Sequence, residues 1–135
     1  MKSPEEIVQL MMENDAFSQW MKIDIAHISK GSCELKINVV PSMLNGFGIL
    51  HGGISYSLSD SALAFAANSY GNKCVSIETS ISHLRSVALE DSLHAIASEL
   101  HRGRSIGVYE ITVLNQRNEK VALFKGTVHI SKEIW

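Results

Sequence analysis

The segment NGFGILHGGISYSLSD, at positions 45–60, combines glycines, a histidine and one acid where a loop runs into a predicted helix. Gly52 and Gly53 stand at the start of that helix, where free backbone N–H groups and the positive end of the helix dipole favour developing negative charge. Because glycine has no side chain, a substrate can approach the backbone there. Asp60 adds a carboxylate two turns later. An oxyanion site and a carboxylate together suffice for acyl-transfer chemistry.

Asp60 is the only Asp, Glu, Lys or Arg between Lys36 and Lys73. The helix that carries it is otherwise uncharged and rich in Ser and Ala, a pattern typical of a helix buried on every side by a sheet, or by a sheet and a second subunit. An isolated buried carboxylate is costly and is kept when it is hydrogen-bonded, paired or used in chemistry. The purely structural alternative is a hydrogen bond from a serine one turn away, such as Ser57.

The helices around this segment are indicated by their caps. Ser3, Pro4 and Glu6 form a capping box with proline at the first helical position, which predicts an N-terminal helix. A second short helix is expected at residues 16–21, so the N-terminal helices occupy about residues 3–21. The central helix is expected from residue 52 to about residue 68.

The rest of the chain alternates as strands. A hairpin is expected around Lys30-Gly31-Ser32, followed by a loop at residues 41–50, and three or four strands after the central helix form an antiparallel meander. Val75 and Ile77 are expected on the buried face of the first of these strands. The predicted strands lie at residues 23–29, 33–40, 75–82, 93–100, 105–114 and 120–130. This order predicts an α+β fold in which one long helix packs on a strongly curved antiparallel sheet.

Length and composition exclude several classes of function. The 135 residues, 45% apolar and 19% charged, are expected to form one globular domain over positions 1–135. A net charge of −2 offers no electrostatic footprint for nucleic acid or an anionic membrane, and no apolar run is long enough to span a bilayer. Cys33 and Cys74 have no metal or redox spacing and, without a signal-peptide pattern, indicate the cytoplasm. The six histidines lack ligand spacing, so no metal site is expected.

Asn45, the triplet His51-Gly52-Gly53 and Asp60 resemble the motif of the hotdog-fold acyl-CoA thioesterases, specifically the PaaI-like branch known from phenylacetate degradation. The resemblance covers residues 44–130 and includes the segments SDSALAFAANSYG, HLR and GRSIGVYEITVLNQRNEKVALFKGT. It implies a hotdog fold, in which a curved antiparallel sheet wraps a long central helix. It also implies an enzyme without metal or other cofactor, with coenzyme A as part of its substrate. Such enzymes assemble as homodimers with one continuous sheet, often paired into a homotetramer.

The same resemblance implies a role for each residue of the motif. The Gly52 N–H polarises the thioester carbonyl, and Asp60 acts as nucleophile or as general base on water. Asn45 and His51 orient the substrate or water, and the Ser76 hydroxyl helps to place the water. The expected activity is hydrolysis of aryl- or phenylacetyl-type acyl-CoA, extending to medium chains, to the free acid and coenzyme A.

The phosphates of coenzyme A need cations carried on loops. Arg85, Arg102 and Arg104 are the candidates, and the turn at Gly103 offers backbone N–H groups beside them. Gly53 is expected to contact the substrate through its backbone. The alternative is that these arginines are solvated strand ends without a ligand.

The spacing of Gly52 and Asp60 predicts a site shared between two subunits. Eight residues of helix separate them by about 12 Å along the axis. An oxyanion donor and a nucleophile lie only roughly 6 to 7 Å apart around one carbonyl. Two antiparallel copies of the helix across a two-fold axis would bring Gly52 of one chain near Asp60 of the other. The sequence therefore predicts two shared sites per homodimer.

Two other functions remain open from the sequence. A hotdog-fold enoyl-CoA hydratase would need a catalytic His and Asp pair on one helix and its preceding loop. Here the histidine precedes the glycines and the acid lies well inside the helix, which favours hydrolysis. A non-catalytic acyl-CoA-binding protein has little reason to bury an unpaired acid such as Asp60.

Overall fold

Two short helices begin the chain and carry the predicted capping box. The computed structural model describes all residues, Met1–Trp135, with helix α1 at Pro4–Asn14 and helix α2 at Ala16–Trp20. The Ser3 hydroxyl accepts a hydrogen bond from the Glu6 N–H at 3.2 Å, and the Glu6 carboxylate accepts one from the Ser3 N–H at 2.7 Å. Both predicted N-terminal helices are therefore confirmed. No helix in the chain is long and apolar enough to cross a lipid bilayer.

Six strands form one antiparallel sheet in the order β1-β2-β4-β5-β6-β3. The strands are β1 Asp24–Ser29, β2 Ser32–Asn38, β3 Asn72–His83, β4 Ser92–Arg102, β5 Ile106–Asn115 and β6 Lys120–Ile134. The predicted hairpin is present, and Gly31 in its turn has a φ of 75°, which glycine adopts readily. The meander comprises only β4, β5 and β6, because β3 pairs with β6 at the far edge of the sheet and not with β4.

The central helix, α3, spans Gly52–Asn68 as predicted and contacts every strand of the sheet. The chain leaves β2 near one edge, crosses the sheet as α3 and returns as β3 at the opposite edge, which explains why β3 lies beside β6. The inner face of α3 is fully buried at Leu58, Leu63 and Phe65. Burying each large apolar side chain contributes about 1.5–3 kcal/mol. The predicted α+β fold, with one helix wrapped by an antiparallel sheet, is confirmed.

The opposite face of α3 is open, so the expectation of a helix buried on every side is wrong for a single chain. Gly53 is exposed, and the residues that follow it on this face are only half-buried. They are Tyr56, Ser57, Asp60, Ser61 and Ala64. The sheet covers the inner face of α3, and Asp60 is the only charged residue on its open face. A second subunit, the other part of the sequence-based expectation, is what this face would need for full burial.

Strand β3 also differs from the prediction. Val75 and Ile77 are 66% and 59% exposed, not buried, and they lie on β3, an edge strand that pairs with β6 on one side only. The register with β6 shifts between Ser76 and Glu78, which marks a β-bulge. A bulge adds one residue and reverses which side chains face the core, and the strict alternation read from the sequence therefore fails at this point.

Candidate active site

The N-terminus of α3 forms one wall of a cleft of about 370 Å³, which we call the Gly52 cleft. Asn45, Gly52, Ser55, His83 and Arg85 line it with several apolar residues. Gly52 is the first helical residue, so no preceding carbonyl of the helix can accept from its N–H. That N–H has no hydrogen-bond partner elsewhere in the chain. Gly52 therefore presents a free donor at the positive end of the helix dipole.

His51 caps α3 and faces a different depression, the His51 pocket, of about 330 Å³. Its Nδ1 accepts from the Gly53 N–H at 2.8 Å, so a neutral His51 ring carries its proton on Nε2. The Gly53 N–H, expected to meet the substrate, is thereby already occupied. Of the two helix-starting glycines, only Gly52 keeps its donor free.

One end of the Asn45 side chain forms hydrogen bonds within its own loop. Its Oδ1 accepts from the N–H groups of Phe47 at 2.9 Å and Ile49 at 3.3 Å, an arrangement that holds the glycine-rich turn. The Nδ2 group has no partner in the chain. Asn45 can therefore act on a ligand in the Gly52 cleft only as a hydrogen-bond donor.

Asp60 lies in a third depression, the Asp60 pocket, of about 250 Å³. Ser76 lines the same pocket, as do the apolar atoms of Leu63, Ala64 and Val128. The Asp60 carboxylate has no hydrogen bond or ion pair within the chain, so the structural alternative, a hydrogen bond from a serine such as Ser57, is not present. Burial, and secondly the negative charge of Asp15, raise the pKa of Asp60 above its ordinary value. A carboxylate without partners and with a raised pKa is suited to accept a proton.

Asp15 reaches the neighbourhood of Asp60 through a short chain of hydroxyl groups. The Ser18 hydroxyl donates to Asp15 Oδ2 at 2.6 Å and lies 2.9 Å from the hydroxyl of Ser61, the residue after Asp60. This chain ties the N-terminus of α2 to α3. Asp15 is a residue of the site that sequence reasoning missed, because no local pattern predicts that it lies near Asp60, 45 positions away.

The five residues expected to be catalytic thus lie in three separate depressions of one chain. Asn45 and Gly52 share the Gly52 cleft, His51 lines its own pocket, and Asp60 and Ser76 share the Asp60 pocket. Within one chain, the structure does not bring the free donor of Gly52 together with the Asp60 carboxylate. This separation is what the spacing of about 12 Å along α3 requires.

The expected phosphate-binding residues also divide into two groups. Arg85 lies at the Gly52 cleft, with its Nη2 3.3 Å from Glu119 Oε2. Arg102 is held internally: its Nη1 donates to Ala67 O at 3.2 Å and to the Tyr109 hydroxyl at 3.3 Å. Its guanidinium also lies 3.9 Å from the centre of the Tyr70 ring.

The turn after Arg102 lies beside the opposite end of α3. Gly103 and Arg104 are exposed there, and the Gly103 N–H donates to Ile106 O at 2.8 Å. In one chain, these residues are therefore remote from the N-terminus of α3. Their role in binding coenzyme A stays a prediction, with Arg104 as the exposed cation of the turn.

Comparison with known proteins shows the family. The model of the thioesterase superfamily matches residues 47–122, from the glycine-rich loop to the start of β6. This chain belongs to the thioesterase superfamily. It is 40% identical over 119 residues to the acyl-coenzyme A thioesterase PaaI of Escherichia coli, covering 88% of this chain and 85% of the relative. The thioesterase described here is thus PaaI-like, as the motif indicated.

Solved structures agree with this assignment. The structure of the E. coli PaaI protein, from the phenylacetic acid degradation operon, superposes with a TM-score of 0.94 at 37% identity, covering 97% of this thioesterase and 95% of that chain. A hypothetical thioesterase of Streptococcus pneumoniae, solved with coenzyme A, superposes with a TM-score of 0.88 at 26% identity, covering 94% and 99%. The hotdog fold implied by the motif is therefore confirmed.

His83 is the second residue of the site that sequence reasoning missed. In the sequence, His83 stands out only as part of the HLR segment, yet it ends β3 directly beside Gly52 in the Gly52 cleft. No group of three or more His, Cys, Asp or Glu side chains in this thioesterase is arranged to hold a metal ion.

Proposed function

We propose that the protein hydrolyses acyl-CoA thioesters, and those of phenylacetyl and related aryl acids in particular, to the free acid and coenzyme A. The observation that carries the proposal is the pair of groups on α3. One is a free N–H at Gly52, and the other is a carboxylate at Asp60 with no partner and a raised pKa. The E. coli relative is an acyl-coenzyme A thioesterase, and the S. pneumoniae relative was solved with coenzyme A.

In this mechanism, the thioester carbonyl oxygen accepts a hydrogen bond from the Gly52 N–H, which stabilises the negative charge that develops on it. Asp60 then acts in one of two ways: it takes a proton from the water that attacks the carbonyl carbon, or it attacks the carbon itself and water hydrolyses the resulting anhydride. In both cases the carbon–sulfur bond breaks, and coenzyme A leaves as a thiolate that takes up a proton. Asn45 Nδ2 and Ser76 orient the substrate and the water.

The catalytic pair comes from two subunits in this proposal. The half-open face of α3 carries Asp60 among small side chains, which lets a second copy of the helix approach closely. The unpaired edge of β3, with exposed Val75 and Ile77, offers a strand for pairing with its symmetry mate into one continuous sheet. A dimer of dimers is the further assembly we propose. The free buried Cys33 and Cys74 fit a reducing compartment such as the cytoplasm.

The acyl group is proposed to occupy the His51 pocket. Phe17 and Trp20 line it, with ring centres 5.7 Å apart, and Met43 and Leu44 add apolar surface. An aromatic and apolar lining of this kind suits a phenyl ring. Phe47, the aromatic residue of the glycine-rich loop, is 90% exposed and does not line this pocket. The origin of the E. coli relative in a phenylacetic acid degradation operon agrees with an aryl substrate.

A panel of thioesters tests this function. Release of free coenzyme A, followed with a thiol-reactive dye, is compared for phenylacetyl-, benzoyl-, octanoyl- and acetyl-CoA, and crotonyl-CoA is followed by loss of its enoyl absorbance. We expect thiol release, fastest with phenylacetyl- or benzoyl-CoA. Loss of enoyl absorbance without thiol release would identify a hydratase, and binding without turnover would identify a binding protein.

Substitution of the arginines separates ligand binding from stability. We expect Arg85→Ala to raise KM for acyl-CoA about tenfold with little change in kcat, because phosphate binding is uniform along the reaction. Turnover of a short N-acetylcysteamine thioester, which lacks the nucleotide, should be unaffected.

Arg102→Ala should instead lower the free energy of unfolding by about 2 kcal/mol, since it removes internal hydrogen bonds and the contact with Tyr70.

The matched control for Arg85 is Arg117→Ala. Arg117 Nε lies 2.7 Å from Glu119 Oε1, so it shares the ion-pair partner of Arg85 but lies outside the Gly52 cleft. Kinetics are measured on both substrates, and stability by urea denaturation. An equal loss on both substrates for Arg85→Ala, or a raised KM for Arg117→Ala, would contradict the assignment.

A further inference from the structure

The imidazole of His83 lies against the α-carbon of Gly52. A Cβ added to Gly52 would be 2.9 Å from His83 Nε2, closer than real Cβ atoms come to their neighbours, and 3.1 Å from Cε1, which is a tight contact. The ring therefore covers the position that a side chain would take, with Nε2 as its nearest polar atom. Both residues line the Gly52 cleft, and His83 comes from the end of β3.

The two nitrogens are close enough to act on one oxygen. The backbone nitrogen of Gly52 lies about 2.5 Å from that Cβ position, so His83 Nε2 is at most about 5.4 Å from it. A single oxygen accepting bonds of 2.9 Å can bridge donors up to about 5.8 Å apart. A carbonyl oxygen bound at the free Gly52 N–H is therefore within reach of His83 Nε2.

We propose that His83 Nε2–H is a second donor to the thioester carbonyl oxygen, beside the Gly52 N–H, and so a catalytic residue of this thioesterase. This inference rests on the proposed function. Two donors aimed at one oxyanion stabilise the transition state more than the ground state, because the charge on the oxygen grows as the tetrahedral intermediate forms.

Ser55 contacts the other nitrogen of the His83 ring. Its hydroxyl donates to Gly52 O at 3.1 Å, and the same oxygen lies 3.5 Å from His83 Nδ1. At 3.5 Å this contact is too long to fix the proton on Nδ1, so a neutral ring can carry its proton on Nε2 and donate it to a ligand. Ser55 itself is buried on α3.

Two substitutions separate hydrogen bonding from packing. His83→Phe keeps a ring over Gly52 but has no N–H, and His83→Gln restores an N–H donor of similar reach. We expect His83→Phe to lower kcat on the order of a hundredfold with less than about a threefold change in KM, as for loss of one oxyanion donor. His83→Gln should recover part of that loss. The matched control is His27→Phe, at an exposed position on β1.

A binding measurement checks the contact without turnover. Two unreactive CoA analogues are compared by calorimetry: a ketone in which a methylene replaces the sulfur, and a thioether that lacks the carbonyl oxygen. We expect His83→Phe to weaken binding of the ketone but not of the thioether. If the wild type hydrolyses acyl-CoA and His83→Phe is fully active, the inference about His83 is wrong and the proposed function stands. The same conclusion follows if wild type and His83→Phe bind the ketone equally well. Absence of hydrolysis by the wild type would overturn the proposed function instead.

Discussion

Asp60→Asn is expected to lower turnover of acyl-CoA thioesters by a hundredfold or more while the protein stays folded. The amide keeps the shape of the carboxylate but can neither attack a carbonyl carbon nor accept a proton from water, and the loss of such a group usually costs at least this much. Activity is measured on the best thioester of the panel, and folding by circular dichroism. Asp24→Asn, at an exposed position on β1, is the control.

The raised pKa of Asp60 adds a pH dependence with a defined sign. Because folding disfavours the charged form of Asp60, the wild-type enzyme should lose activity, as the pH falls, at a higher pH than an ordinary aspartate with a pKa of 3.8 would cause. For the same reason, the charged side chain lowers stability at neutral pH. Asp60→Asn should therefore be at least as stable as wild type at pH 7, with the difference disappearing near pH 3.8 and below. A folded Asp60→Asn protein with wild-type turnover would contradict the mechanism.

Gly52→Pro should cause a loss of similar size for a different reason. Proline removes the free N–H and is tolerated at the first position of a helix. His51 before it already has φ −63° and ψ 131°, the extended conformation that a residue before proline needs. Loss of one oxyanion donor lowers kcat by about a hundredfold to a thousandfold.

Gly52→Ala is the matched variant for this experiment. It brings the same Cβ toward His83 Nε2 but keeps the backbone N–H. Both side chains displace the His83 ring, so we expect Gly52→Ala to lose the contribution of His83 but to retain more activity than Gly52→Pro, which loses the backbone N–H as well. Equal losses in the two variants would mean that space at Gly52, and not its N–H, is what the reaction needs.

Local signals accounted for most of the fold and for the residues of the motif. The capping box at Ser3 and Glu6, the turn at Gly31 and the bounds of α3 all depend on neighbours in sequence, and all were predicted. The bulge near Ile77 was not predicted, because it is a property of pairing with β6 and leaves no local pattern. The same holds for the position of β3 at the sheet edge.

The site was harder to predict where it depends on contacts between distant segments. His83 meets Gly52, and Asp15 influences Asp60, only because β3 and the N-terminal helices pack beside α3. Arg102 was expected on a loop, but it ends β4, and its contact with Tyr70, just after α3, depends on how α3 packs on the sheet. The sequence showed that Arg102 is positively charged, and only the fold shows which groups its guanidinium contacts.

The central claim, that Gly52 and Asp60 act from different subunits, is tested most directly by mixed dimers. Asp60→Asn and Gly52→Pro chains carrying different affinity tags are refolded together, and dimers with one chain of each kind are purified on both tags. In a shared-site dimer, one site then carries both lesions and the other carries neither. We expect the mixed dimer to recover about half of wild-type activity, while each parent dimer stays inactive and folded. Mixed dimers as inactive as their folded parents would show that both groups act within one chain.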